Sequence, residues 1–488
     1  MKDILLTTIN AKWIHPSLAL RLLKANLGEL EDRCEIIEFA LRQPLKEKID
    51  ALVAASPKIL GISVSIWNHT ATIELLNELK KIWLQNQTPS LLPTPHSPLP
   101  IIVLGGPEIS YLPDDAEIFQ YADYVIKGEG ELIFRNLCED IINNKIKNKK
   151  IISVSSPDYS RVVRSVVKKI KSAYHLYTDE DIAQKLIYVE SSRGCPFNCD
   201  FCLSAADKHP VREFPLEPFL SEMEILINRG VKTFKFLDRT FNANIKRAIT
   251  IMEFFLEKLK ERRFTVHFEM VPTLFTTELL ETLTRFPPGS LRLEVGIQTL
   301  NPQAAALINL PGRQTPNTAA NDKILETVRF LRQKTNAIIH ADLIAGLPGE
   351  DMGSFATGFD QLWEVLERGT EHTEIQLGIL KLLPGAPIAR HNKEWGMKYN
   401  PEPPYEVLET SAMSATDIAR LKNFARFWEL IVNRGCGKGT SCLVKNSNNL
   451  NFHQFMELSD MLFAHFGRNW GINKEELLAA TLDILEKL

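Results

Sequence analysis

The sequence predicts an α/β protein with three parts: an N-terminal doubly wound, Rossmann-like sheet, a partial (β/α)6 barrel and a small helical C-terminal domain. Short apolar runs with the length of buried parallel strands alternate with amphipathic stretches in two separate series. After Pro387 the strand pattern fades and helical periodicity replaces it. We therefore divide the chain into the sheet at 1–145, a polar, charged linker at 146–184, the barrel at 185–390 and the helical domain at 391–488.

Length and composition fit several globular domains. The chain has 488 residues, 44% of them hydrophobic and 24% charged, which suggests about three domains with large cores. A net charge of −3 without a basic tail gives no electrostatic basis for binding nucleic acid. Three of the seven cysteines lie close together in one short run and four are scattered, so they do not form a disulfide framework. This pattern, with no signal peptide and no membrane-spanning apolar run, favours the reducing cytoplasm.

The first series is typical of a doubly wound sheet. Its predicted strands lie at residues 4–6, 35–37, 59–64, 101–104 and 123–126. Amphipathic helices are predicted at 17–30 and 71–83. A proline-rich stretch at 88–100 is predicted to be a surface loop because prolines and polar residues cannot continue the sheet.

The second series predicts six βα units, which suggests an open barrel. Its strands are expected at residues 186–190, 232–237, 264–269, 291–297, 338–344 and 374–380. Helices are expected at 216–228 and 321–334, and later at 404–434 and 451–488. In such barrels, ligands gather at the C-terminal ends of the strands.

Three cysteines follow the first predicted barrel strand in the run Arg-Gly-Cys-Pro-Phe-Asn-Cys-Asp-Phe-Cys-Leu. Cys195, Cys199 and Cys202 can ligate three irons of a 4Fe–4S cluster and leave the fourth iron free to bind and activate another molecule. The alternative is a zinc knuckle or incidental cysteines. A zinc site usually has four ligands in two separated pairs, and no partner pair lies nearby in the sequence.

This run resembles the C-x-x-x-C-x-aromatic-C motif of the radical S-adenosylmethionine (SAM) superfamily. The resemblance implies that the three cysteines hold a catalytic cluster and that the amine and carboxylate of SAM chelate the open iron. An electron from the cluster then cleaves a C–S bond and yields a 5′-deoxyadenosyl radical. Phe201, the aromatic residue of the motif, would lie against the adenine.

Four later strand ends carry polar or glycine-rich segments in the order that the resemblance implies. Asp238 would stand at the barrel mouth, and Glu269 would bind a ribose hydroxyl or the methionyl amine. Glu294 and Gln298 would make polar contacts with SAM, and Gly346 would bring the backbone close to the adenine. Taken singly, a carboxylate at a strand end is more often a helix cap or an ion-pair partner.

The N-terminal sheet resembles the cobalamin-binding domain of a large radical SAM subfamily. The matching segments, at 61–68, 104–108 and 127–131, each follow a predicted strand at the edge where such sheets bind ligands. The resemblance implies hydrogen bonds from serines to the nucleotide tail and close backbone approach at glycines. The implied cobalamin-binding residues are Ser63, Ser65, Gly105, Gly106, Gly128 and Glu129.

The chain departs from many cobalamin proteins at the lower axial ligand. It has no Asp-x-His-x-x-Gly run, and the nearest histidine is His15 after the first strand. We expect base-off cobalamin with no protein nitrogen below the cobalt, or with His15 there. The alternative for the whole domain is a vestigial Rossmann-like unit that only shapes the active site.

The segment at 377–387 and the helical tail resemble a branch related to anaerobic magnesium-protoporphyrin monomethyl ester cyclase and to natural-product C-methylases. The resemblance implies a cobalamin-dependent methylation of an unactivated carbon in a small molecule. The electron would come from a donor such as flavodoxin or ferredoxin. A cyclisation, rearrangement or oxidation with the same cofactors is the alternative outcome.

Two further functions stay open. Methylthiolation of tRNA would require three more cluster cysteines in the N-terminal domain, where only Cys34 and Cys138 occur. A non-enzymatic cobalamin carrier or sensor could keep a structural cluster. Cys436 and Cys442, in the C-terminal part, are too few for a metal site, and inert thiols or a thiol in substrate chemistry are both consistent with them.

Overall fold

The computed structural model describes residues 2–85, 99–145, 150–153, 169–206, 210–366, 373–435 and 450–487. Cys436, Cys442, most of the predicted loop at 88–100 and much of the predicted linker at 146–184 lie outside these ranges. The chain forms two compact units. The first unit consists of Met1–Ser192 and Arg212–Lys235, and the second consists of Arg193–Val211 and Phe236–Leu488. Within the described ranges, the helices lack the combination of length and apolar character needed to cross a membrane.

A six-stranded parallel sheet organises the first unit, with the strand order β2-β1-β3-β4-β5-β6. Its strands are β1 (Ile4–Asn10), β2 (Cys34–Ala40), β3 (Ile59–Ser63), β4 (Ile101–Gly105), β5 (Tyr124–Lys127) and β6 (Ile151–Ser153). All seven residues of β1, which lies between β2 and β3, are buried. The five predicted strands are confirmed. The sequence analysis missed β6, a three-residue edge strand within the predicted linker, because so short a run carries no periodicity.

Helices cover both faces of this sheet. They are Leu18–Ala25, Leu45–Ala55, His69–Gln85, Pro107–Tyr111, Glu131–Ile142 and Asp179–Gln184. Leu5 and Leu60 belong to one buried cluster with Leu75, whereas Leu6 belongs to a second one with Phe134. Two cores on one sheet confirm the doubly wound prediction. The helix predicted at 17–30 stops earlier, and a 3-10 helix, Gly28–Arg33, begins at a glycine with φ of 64°.

The second six-stranded sheet has the order β7-β10-β11-β12-β13-β14. Its strands are β7 (Ile187–Val189), β10 (Thr233–Phe236), β11 (Thr265–Met270), β12 (Leu291–Gln298), β13 (Ile338–Ala345) and β14 (Thr373–Ile379). The two-residue strands β8 (Ser192–Arg193) and β9 (Arg212–Glu213) lie between β7 and β10 along the chain. The strands from β11 to β14 pair in parallel, and all six predicted strands are confirmed.

Helices alternate with these strands along the chain, which confirms the predicted partial βα barrel. They are Leu216–Asn228, Ile245–Lys258, Thr277–Thr284, Pro302–Leu307, Ala319–Lys334 and Met352–Val365. On β12, Leu293 and Val295 are buried while Glu294 and Gln298 on the other face are partly exposed. This alternation with period two gives the sheet one apolar face and one polar face. The polar face carries the candidate site residues.

The C-terminal residues form helices that pack within the second unit. They are Ala415–Trp428, continued by a π-helical turn at Glu429–Asn433, then Phe452–Phe466 and Lys474–Leu485. The rings of Trp428 and Phe452 lie 4.8 and 5.6 Å from that of Phe359 on the last barrel helix. The helix predicted from residue 404 was wrong at its start. Val407–Glu409 (β16) pairs instead with Lys398–Tyr399 (β15), and the helix begins after the capping box of Ser414.

Candidate active site

The three cysteines of the motif lie on a loop that follows β7 and β8. Gly194 adopts a φ of 91°, a conformation that side chains disfavour, so the loop can turn directly before Cys195. The sulfur of Cys195 lies 3.3 Å from the hydroxyl oxygen of Thr240. The N–H of Cys202 donates to the carbonyl of Cys199 at 3.0 Å, which closes a turn between these two ligands.

The three thiols are close enough to influence one another electrostatically. Burial, with a smaller contribution from Cys202 and Cys195, raises the pKa of Cys199 to about 12. Among the described residues, no three His, Cys, Asp or Glu side chains are grouped to hold a single metal ion. A cubane cluster makes no such demand, because each iron takes its own thiolate. The loop therefore offers the donor set that three irons need, and its protons leave when metal binds.

Two predicted SAM contacts are in-register neighbours on the polar face of the barrel sheet. Glu269 on β11 is directly opposite Glu294 on β12. The carboxylate of Glu294 lies 3.2 Å from Nε2 of His267, and the ring of His267 stacks on that of His340 at 5.7 Å. Nδ1 of His340 lies 3.0 Å from the carboxylate of Glu374. The polar face therefore carries alternating carboxylates and imidazoles.

The end of β12 is held in an unusual conformation. Gln298 has a φ of 67°, and the strand register shifts between Gly296 and Gln298. The buried guanidinium of Arg313 donates to the carbonyls of Ile297 and Thr299, each at 2.6 Å, on either side of Gln298. Burial lowers the pKa of Arg313 to about 10, and the charge of Cys199 opposes this shift. Arg313 thus links the shape of this strand end to the surroundings of the cluster loop.

The other predicted SAM contacts differ in how they are packed. Asp238, just after β10, is 1% exposed, and Phe201 is partly exposed. Gly346, just after β13, has a φ of 84°, and a Cβ there would lie 2.6 Å from a methyl carbon of Val407. The space at Gly346 is therefore also required by the protein's own packing against β16.

A buried carboxyl stands near the same strand ends. Glu350 is 1% exposed and accepts a hydrogen bond from the hydroxyl of Thr299. Its second oxygen, Oε2, has no hydrogen-bond partner among the described residues. Burial raises the pKa of Glu350 to about 8.

We expect this carboxyl to make stability depend on pH. The unfolded chain releases the proton near the ordinary pKa of 4.5, whereas the folded chain keeps it up to about 8. Between these values the folded state binds more protons, so the free energy of unfolding falls as pH rises, by on the order of 4 kcal/mol in total. Denaturant titrations of Glu350→Gln across this range should show a flatter profile. Glu364→Gln, an exposed control, should keep the slope of the parent protein, and an unchanged slope in Glu350→Gln would contradict the assignment.

At the C-terminal edge of the first sheet, a glycine pair allows β3 and β4 to approach each other. Gly106 has a φ of 108°, and a Cβ there would lie 2.5 Å from the carbonyl oxygen of Val64. At Gly105 the nearest atom to such a Cβ is the carbonyl oxygen of Ile126, at 3.6 Å. A side chain at Gly106 would therefore clash with the backbone, whereas a methyl group at Gly105 would fit.

The two predicted serines lie beside this pair. The hydroxyl of Thr8 donates to the carbonyl of Ser63 at 2.7 Å. The N–H of Ser65 donates to the side-chain oxygen of Asn68, whose amide in turn donates to the carbonyl of Ile9 at 2.9 Å. The fully buried Asn68 thus fixes the ends of β1 and β3, an anchor that the sequence analysis missed.

The remaining predicted cobalamin residues have defined partners. Nδ1 of His15 lies 2.8 Å from the hydroxyl of Tyr188. Burial lowers the pKa of His15, and the nearby Lys12 and Lys235 lower it further, so the imidazole is neutral near pH 7. Gly128 has a φ of 91°, a backbone angle that residues with side chains rarely adopt. Glu129 forms a bidentate pair with Arg212 at 2.9 and 2.5 Å.

Comparisons with known proteins identify both halves of the chain. Residues 4–138 match the B12 binding domain, and residues 189–361 match the radical SAM superfamily. The chain therefore contains a B12-binding domain followed by a radical SAM domain. A radical SAM domain implies a 4Fe–4S cluster and SAM as cofactors, and the B12-binding domain implies cobalamin. Residues 393–474 match a further family, a protein of unknown function.

Several relatives of this chain are methyltransferases by name. The cobalamin-dependent radical SAM methyltransferase TokK of Streptomyces tokunonensis is 23% identical over 467 residues, 85% of this chain and 62% of TokK. An uncharacterized methyltransferase of Pyrococcus horikoshii is 33% identical over 164 residues, 31% of this chain and 36% of that protein. The chain thus spans about a third to three fifths of the length of these relatives.

A solved structure shares the fold. The cobalamin-dependent SAM radical enzyme OxsB, with aqua-cobalamin and SAM bound, superposes on this chain with a TM-score of 0.62 at 15% sequence identity. The superposition covers 99% of this chain and 79% of the OxsB chain. The likeness concerns the fold alone. It agrees with the predicted order of a doubly wound sheet followed by a partial barrel.

Three residues near the candidate site were missed in the sequence analysis: Thr240, Arg313 and Asp200, which lies inside the cysteine motif itself. Each acts through a contact with a residue distant in sequence, which periodicity does not reveal. Position was a signal for Asp200, which lies within the motif, and for Thr240, which follows β10, whereas Arg313 lies beyond the helix Pro302–Leu307 and had no such signal.

Proposed function

We propose that this radical SAM protein methylates an unactivated carbon of a small molecule, as a cytoplasmic enzyme that uses the cluster, SAM and cobalamin. The observation that carries the proposal is the loop of three cysteines in a radical SAM domain, with Cys195 3.3 Å from Thr240 just after β10, in a chain that also has a B12-binding domain. TokK, which aligns with 85% of the chain, supports methylation over cyclisation or rearrangement.

In this proposal the described residues have distinct tasks. Cys195, Cys199 and Cys202 ligate three irons, and Glu269 and Glu294, side by side on β11 and β12, hold polar groups of SAM. When bound, the cluster and SAM would supply radical chemistry, with an electron from a flavodoxin or ferredoxin, and cobalamin would supply the methyl group. The protein positions the reactants and excludes water.

The glycines and serines at the edge of the first sheet would receive the cobalamin. Gly105 leaves room for close approach, and Ser65 lies in a turn fixed by Asn68. Nδ1 of His15 is engaged by Tyr188, which leaves Nε2 as the atom that could ligate cobalt. We therefore propose base-off binding of cobalamin, with either no protein nitrogen or Nε2 of His15 as the lower ligand of cobalt.

Methylthiolation receives no support from the two cysteines of the first unit. Cys34 and Cys138 are 1% and 0% exposed and pack in one core cluster of the first sheet. Both thiols are suited to packing and not to ligating a cluster.

Anaerobic reconstitution tests the proposal. With iron, sulfide, cobalamin, SAM and a strong reductant, we expect 5′-deoxyadenosine and transfer of an isotopically labelled methyl group from SAM to the protein-bound corrinoid. A protein that binds corrinoid but does not cleave SAM would be a carrier or sensor. A protein that cleaves SAM but transfers no label would favour a rearrangement, cyclisation or oxidation.

A further inference from the structure

A buried acidic side chain, Asp200, lies inside the cluster motif between Cys199 and Phe201. Its side chain is 2% exposed. The roles proposed above for iron ligation and SAM binding do not include this residue. Because burying a carboxylate is costly unless it is paired and hydrogen-bonded, its partners indicate what it does.

The carboxylate of Asp200 has three partners. Oδ2 lies 2.7 Å from Nε2 of His391 and 2.7 Å from Nη2 of Arg390. Oδ1 accepts a hydrogen bond from the side-chain amide of Asn309 at 3.0 Å. His391 is 6% exposed, so this contact lies in the protein interior, whereas the Arg390 side chain is 53% exposed.

The main chain of Asp200 binds the same two segments. Its N–H donates to the carbonyl of Ile308 at 3.0 Å, directly after the helix Pro302–Leu307. Its carbonyl accepts from the N–H of Ile388 at 2.8 Å, in the 3-10 helix Pro387–His391. One residue of the cluster loop is thus fastened to two segments more than a hundred residues away in sequence.

These contacts bear directly on two cluster ligands. Cys199 precedes Asp200, and Cys202 follows it by two positions and closes the turn onto Cys199 at 3.0 Å. Fixing Asp200 therefore fixes the backbone from which both thiolates project. Groups that orient metal ligands affect both the affinity of a site and its electronic properties.

We propose that Asp200 is a positioning residue for the cluster, and that its pairing with His391 and Arg390 helps to set the cluster's reduction potential. In this proposal, the segment 387–391 helps to hold the cluster loop in place through its contacts with Asp200. The proposal rests on the cluster of that domain and not on the proposed methyl transfer, so failure of methylation would leave it testable.

Iron retention gives the first test. We expect reconstituted Asp200→Asn to release iron to a chelator about 10- to 100-fold faster than the parent protein. In the apo protein, the same variant should let Cys199 and Cys202 react faster with iodoacetamide. The matched control is Asp460→Asn, since Asp460 also pairs with an arginine, Arg420, at 2.6 Å but lies on a C-terminal helix. It should behave like the parent in both assays.

The reduction potential separates positioning from a merely structural role. Removing the negative charge of Asp200 leaves Arg390 less compensated, which favours the reduced cluster, so the midpoint potential of Asp200→Asn should rise. Arg390→Gln removes the positive charge and should lower it. The electron paramagnetic resonance signal of the reduced cluster should change in Asp200→Asn and stay unchanged in Asp460→Asn.

Two results would overturn the proposal: iron release and potential in a folded Asp200→Asn that match the parent, or potentials that move in the same direction in both charge variants. If Asp200→Asn does not fold, Arg390→Gln decides, because this side chain is half exposed. Parent-like potential in that variant would then refute the electrostatic coupling.

Discussion

Replacing Cys199 by alanine should abolish the 4Fe–4S cluster and reductive cleavage of SAM together. The thiol is one of three on the loop, and a cubane that loses one of three protein ligands has two irons without protein donors. We expect the brown absorbance of the reconstituted protein to disappear and 5′-deoxyadenosine formation to fall to background. Iron and sulfide analysis, absorbance and chromatography of the products measure these outcomes.

Cys34→Ala is the matched control for this prediction. Cys34 is a cysteine of a different environment, buried in the core of the first sheet. The control should keep its cluster and its activity and lose on the order of 1 kcal/mol of stability at most. Retained iron and SAM cleavage in a triple Cys195, Cys199 and Cys202 alanine variant would contradict the radical SAM mechanism for this chain.

Replacing Gly106 by alanine should strongly destabilise the B12-binding unit. Gly106 has φ 108° and ψ 175°, a region that glycine alone occupies readily, and the added Cβ would meet a backbone oxygen at 2.5 Å. We expect a loss of about 3 kcal/mol, which corresponds to roughly 6 °C or more in melting temperature for a unit of this size. Thermal unfolding of the cobalamin-free protein measures it.

Gly105→Ala distinguishes packing from ligand binding at the neighbouring position. The added Cβ would make only an ordinary contact, at 3.6 Å. The free energy of unfolding of the cobalamin-free variant should therefore lie within about 0.5 kcal/mol of that of the parent protein. If the corrinoid approaches the backbone here, bound cobalamin should decrease in this variant. Equal melting of both glycine variants would refute the steric argument for Gly106.

Local patterns in the sequence predicted the elements of this fold well. The helix predicted at 216–228 has the observed bounds, and all the predicted strands occur because buried parallel strands are short, apolar and regularly spaced. The missed strands share one cause. β6 and β16 are three residues long, and an edge or hairpin strand of that length is defined by its pairing partner and not by its own composition.

The sequence by itself determined the chemistry, because ligand type, ligand spacing and strand order are all encoded locally. Three thiols at spacings of four and three, placed after the first barrel strand, already imply a cluster with an open iron. The tertiary structure decided which other residues act with them. Asp200 meets His391 across 191 positions of the chain, and Arg313 holds the end of β12 through the carbonyls of Ile297 and Thr299. Such contacts depend on how distant segments pack, and that packing is a property of the whole fold and not of any short segment.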